Sequence, residues 1–144
     1  MSEVINNEFG VEEIAVNPME LDRALNHFNW GAFGFTWMWG LGNGSFNKTW
    51  ISLVVDFVSG CLNIIPFIGP ILGLAGIIGI RIYLGLNGNK WAFENRAWWS
   101  LTDYTETQKR WATAVAIIFG FYIFILILMI IAISALGAFG GSHY

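Results

Sequence analysis

The chain has 144 residues, 56% of them hydrophobic and only 12% charged, with a net charge of −3. One domain fits that length, and a soluble fold with roughly 25% charged residues does not fit that composition. The charge balance offers no basic patch for nucleic acid, and the lone Cys61 excludes an internal disulfide.

Residues 1–16 are polar, acidic and without periodicity, and read as a flexible tail. The tail is acidic where a signal peptide is basic and has no apolar core, so no signal peptide is expected. A single membrane domain then runs over 17–144. Asn17-Pro18 followed by Glu20 is a helix start, with a cap, a proline in the first turn and an acid near the positive end of the dipole. A short helix is expected from Pro18 to about Phe28.

Phe28 to Gly42 is apolar and dense in Trp and Phe, but about 15 residues reach only ~22 Å. Aromatic rings gather at membrane interfaces. The 18–42 region therefore reads as an amphipathic helix in the membrane surface, or else as a short span. Gly42-Asn43-Gly44-Ser45 is a turn.

The stretches 50–65 and 71–86 are apolar, and Pro66 to Pro70 forms a corner between them. They predict a transmembrane helical hairpin, closed by Asn87-Gly88-Asn89. Gly69, Gly73, Gly76 and Gly79 form a helix-packing stripe on the second arm, because small residues let helices approach closely in lipid. Cys61 reads as a small apolar residue within the first arm.

Asp56 and Arg81 are the only charges inside these arms. Folding the hairpin about Ile68 brings them to one depth. Each alone costs roughly 2.5–3.5 kcal/mol at a helix centre, so a direct or water-bridged ion pair is expected. It could set the hairpin register or form a pore or headgroup site.

The 87–110 connection mixes Trp91, Phe93, Trp98 and Trp99 with Lys90, Glu94 and Arg96. It reads as an amphipathic segment on the inner leaflet, or as a docking surface made by Trp91, Phe93, Arg96, Trp98 and Trp99. Ser100 with Asp103 resembles a capping box. A helix from about Thr102 then continues through 111–136, with Tyr104, Gln108, Trp111 and Val115 on one face. Trp111 to Leu136 carries no Asp, Glu, Lys, Arg or His over about 26 residues, or ~39 Å, and is the strongest transmembrane signal in the chain.

The expected fold is all-α: a bundle of three transmembrane helices with an N-terminal aromatic helix. Lys90, Arg96, Lys109 and Arg110 place 87–110 in the cytoplasm and the C-terminus outside. His27 and His143 stand far apart in sequence, and no catalytic or metal motif is present. No enzyme activity, cofactor or metal is expected. The partners expected are the bilayer and either further copies of the chain or a membrane protein. A structural or accessory subunit is the first functional expectation, and a small oligomeric channel or transporter using Asp56 and Arg81 is the alternative.

FNWGAF at 28–33, WMWGLGN at 37–43, GLNGNKWAFENRAW at 85–98, and Gln108 with Trp111-Ala112 together resemble a family of small uncharacterised bacterial membrane proteins. In that family such blocks flank a hydrophobic hairpin. The resemblance implies a bacterial cytoplasmic-membrane protein and supplies no substrate or catalytic residue. Some members carry a zinc ribbon in front, whereas the tail of this chain has no Cys.

Overall fold

A computed structural model describes residues 3–4 and 15–140. Glu3–Val4 (β1) pairs antiparallel with Ala15–Val16 (β2). The rest of the expected tail lies outside the described residues. Every other element is helical: α1 Pro18–Leu25, α2 Trp30–Phe35, α3 Trp37–Gly42, α4 Phe46–Thr49, α5 Ile51–Leu62, α6 Ile68–Asn95 and α7 Leu101–Gly140. The start of α1 is as expected, with the Asn17 side chain accepting from the Met19 amide at 3.1 Å.

Phe28–Gly42 is not one continuous helix and is not among the helices long enough to cross a membrane. It folds as α2 and α3, each of six residues and about 9 Å. Thr36 breaks them with φ 46°, a conformation strained for a β-branched residue. Thr36 itself stays bonded on both sides of the break: its amide donates to the Ala32 carbonyl and its carbonyl accepts from the Gly40 amide. Small residues decide where this segment sits. A side chain on Gly31 would strike Trp111, and one on Gly34 would strike Val115. Thus α2 lies tight against α7.

The hairpin forms with unequal arms. The 12 residues of α5 reach about 18 Å, well short of a ~30 Å hydrocarbon core. Among the described residues only α6 and α7 are long and apolar enough to cross a membrane. Two candidates therefore stand where three were expected. Gly69 meets the Leu62 carbonyl and Gly73 that of Ser59, with a would-be Cβ on Gly73 at 2.9 Å. Gly76 makes ordinary contact and Gly79 faces open space. Half of the predicted glycine stripe is thus an intimate contact, made within the hairpin.

Asn87-Gly88-Asn89 does not end the second arm. The helix runs on to Asn95 because each of these residues has a partner. Asn87 donates to the Tyr83 carbonyl, Gly88 packs on Ala32 and Trp39, and the Asn89 side chain bonds other elements. Ser100 Oγ then accepts from the Asp103 amide at 3.0 Å and opens α7, which runs unbroken as expected. Ala32, Trp39, Leu84, Ala92, Trp98 and Tyr104 form a core at one end of the two long helices. Beyond Val115, α7 leaves it: its apolar side chains from Ile117 to Leu136 are exposed.

Candidate functional site

The centre of the packed end is a cluster of neutral polar side chains. Asn29 precedes α2 and caps it, its Oδ1 accepting from the Ala32 amide at 2.8 Å. Its Nδ2 donates twice, to Asn89 Oδ1 at 2.7 Å and to Gln108 Oε1 at 3.0 Å. Gln108 Oε1 also accepts from the Trp39 indole at 3.0 Å, and its Nε2 donates to Asn43 Oδ1 at 2.8 Å. Asn89 Nδ2 donates to the His27 carbonyl, and the Tyr104 hydroxyl donates to the Asn89 carbonyl. All of Asn29, Trp39, Asn43, Asn89, Tyr104 and Gln108 are buried.

This cluster fastens α2, the end of α3, α6 and α7 to one another. Unpaired amides in such a site would each cost roughly 1–3 kcal/mol. Paired, they favour one arrangement of the helices over others that would orphan them. Every member is neutral at pH 7, and the only titratable one is the Tyr104 hydroxyl. A cavity of about 230 Å³ opens beside it, lined in part by His27, Asn89, Thr105, Gln108 and Lys109. The His27 ring nitrogen lies 3.2 Å from the Arg23 carbonyl. No group of His, Cys, Asp and Glu suited to a metal occurs among the described residues.

Arg81 and Asp56 do not form the expected direct ion pair. Arg81 Nη1 donates to the carbonyls of Gly34 at 3.0 Å and Phe33 at 3.3 Å, at the end of α2. Register explains the difference. The chain turns over Asn63–Phe67, earlier than Ile68, so Gly73 meets Ser59 and Gly76 lies near Val55. Asp56 therefore sits opposite the Gly76 region, about five residues or ~7.5 Å along the helix from Arg81. The ion pairs among the described residues are Lys48–Glu94 at 3.1 Å and Glu106–Lys109 at 2.8 Å, both exposed.

The Trp-rich connection is mostly built into the fold and is not a free face. Trp98 is buried, donates to the Ala92 carbonyl, and packs edge-on against Tyr104 at 5.2 Å. Phe93 packs on Tyr104, and half-buried Trp91 on Tyr83. Arg96 lies 4.5 Å over the Trp98 ring and donates to the Gly42 carbonyl. Trp99 is the most open of the four aromatic residues, at 86% exposure, and Arg96 is exposed as well.

Site prediction from sequence favoured charges and overlooked the amides. A signal for them existed: Asn29, Trp39, Asn43, Asn89 and Gln108 fall one or two to each of the FNWGAF, WMWGLGN, GNKWA and QxxWA blocks. Amides in so apolar a chain demand partners. No family model, curated protein or solved structure matches the chain.

Proposed function

We propose that the chain is a non-enzymatic integral membrane protein, a structural or accessory subunit that packs with itself or with a larger membrane complex. One observation carries the reading. The α7 segment from Ile117 to Leu136 is apolar and bare on every face, while the buried amides of the packed end are paired internally. A helix hydrophobic all round needs lipid or protein around it. A location in the bacterial cytoplasmic membrane is proposed on the sequence resemblance to small bacterial membrane proteins, and an orientation with 87–110 inside and the C-terminus outside is proposed on the distribution of Lys and Arg. An oligomeric channel draws less support, because Arg81 is committed to backbone carbonyls and lies out of register with Asp56.

Extraction in a mild detergent, followed by mass measurement and identification of co-purifying proteins, tests this reading. A defined homo-oligomer or hetero-complex that dissociates on polar substitution of exposed α7 residues is the expected result. A ring with a polar axis and ion conduction would overturn it.

A further inference from the structure

We infer that the α5–α6 hairpin is re-entrant: its corner ends inside the hydrocarbon and does not emerge in the water beyond. This rests on the membrane reading above.

Length is the first ground. From Arg81, held at the end of α2, α6 runs back about 13 residues to Ile68, or ~20 Å. That is two-thirds of a ~30 Å core, and the 12-residue α5 is shorter still. From Val115, which meets Gly34 at the same level, α7 runs about 31 Å to Leu136. Measured from this level, α7 is long enough to cross, whereas α6, long enough as a whole, has only its Ile68–Arg81 part beyond it.

The corner is also chemically suited to lipid. Ile64 is 83% exposed and Phe67 88%, and Ile65, Ile68 and Ile71 are exposed beside them. No Lys, Arg, Asp, Glu, Trp or Tyr lies between Phe57 and Ile80 to hold the tip at a far interface. Irregular backbone in hydrocarbon needs its amides satisfied internally. Here Asn63, Ile64, Ile65, Ile68 and Gly69 donate to the carbonyls of Gly60, Cys61, Leu62, Pro66 and Ile65. The Asn63 side chain donates to the Ser59 carbonyl, and Pro66 and Pro70 have no amide hydrogen to satisfy. Of the eight residues from Asn63 to Pro70, only Phe67 keeps an amide outside this set.

Asp56 supplies a third ground. A corner reaching the far water would bring Asp56, about 12 Å back along the hairpin, close to the bilayer midplane, where a charge is most costly. A corner stopping at ~20 Å leaves Asp56 about 8 Å from the level of Arg81.

Cysteine labelling of the full-length chain in sealed membrane vesicles of both orientations tests the inference. In a Cys61→Ser background, Ile64→Cys and Phe67→Cys probe the corner. Lys90→Cys and Ser142→Cys report the two water phases. A membrane-impermeant maleimide reacts only with thiolate in water. The expected result is that both corner thiols label at under a tenth of the Lys90→Cys level from either side, and fully once the protein is denatured. Both positions are open in the protein itself, so silence reports lipid. A spin label at Phe67→Cys should be relaxed by oxygen and not by a water-soluble nickel chelate. Labelling from the side opposite Lys90→Cys overturns the inference in favour of a spanning hairpin. Labelling from the same side overturns it in favour of a surface position. In both cases the membrane reading stands. If the wild-type chain instead leaves the vesicles on alkaline washing, both readings fall.

Discussion

The indole of Trp39 and the side chain of Gln108, sixty-nine positions apart, are joined by a buried 3.0 Å hydrogen bond. Gln108 Oε1 accepts at once from Trp39 and Asn29, and its Nε2 reaches Asn43. One α7 side chain therefore holds the entry to α2, the middle of α3 and the cap of α3.

Gln108→Leu should be among the most damaging single changes. It orphans the Trp39 indole, Asn43 Oδ1 and one hydrogen of Asn29, each worth roughly 1–3 kcal/mol. A loss of about 3 kcal/mol or more is expected in reversible unfolding in detergent. Thr113→Leu, on the exposed face of α7 between Trp111 and Val115, should change stability by under ~0.5 kcal/mol.

Arg81 and Asp56 should behave as independent residues. Arg81→Leu removes the donors to Phe33 and Gly34 and should cost roughly 1–3 kcal/mol. Exchanging the two charges in the double variant should give no rescue, with a coupling energy under about 0.5 kcal/mol in a double-mutant cycle. Recovery of stability in the exchanged protein would show that the two charges do meet.

Gly34→Ala and Gly79→Ala should differ sharply. A methyl at Gly34 overlaps the Val115 side chain, and the fit of α2 on α7 must open, at a cost of roughly 1–3 kcal/mol. Nothing lies within 4 Å of a methyl at Gly79, so that change gains up to about 1 kcal/mol from helix propensity. Thermal melts of the two variants in one detergent make the comparison.

Trp98 and Trp99 are neighbours in sequence with opposite expectations. Trp98→Ala empties a buried site against Tyr104 and should cost about 3–5 kcal/mol. Trp99→Ala should leave stability within ~0.5 kcal/mol. It should weaken any association made through this end of the molecule, read by cross-linking before and after the substitution.

Much of the local structure was legible because local chemistry decides it. Asn17-Pro18 starts α1, Ser100 starts α7, and the uncharged run from Trp111 continues that helix without a break. The face of Tyr104, Gln108 and Val115 was readable from a 3.6-residue period, and all three are buried. A direct Asp56–Arg81 contact is not legible from sequence because register depends on where a corner turns. A shift of a few residues there separates two side chains by more than a helical turn. Asn87-Gly88-Asn89 carries a stop signal in sequence because such residues end helices when their side chains bond locally. Here Gly88 and Asn89 are occupied by α2, so the helix goes on.

The sequence by itself determined that the chain is mostly helical and that its last helix, from Trp111 onward, is apolar on every face. Composition and periodicity are enough for that, since they act residue by residue. Only the tertiary structure decided which polar groups meet. Asn29, Asn43, Asn89 and Gln108 are spread over 80 positions of sequence, and nothing local distinguishes a buried amide from an exposed one. Their pairing, the breaking of the aromatic segment at Thr36 and the turning of Arg81 onto α2 all follow from packing α2 between α6 and α7. In that space buried amide donors need acceptors, and this arrangement of the helices supplies them for Asn29, Asn89 and Gln108.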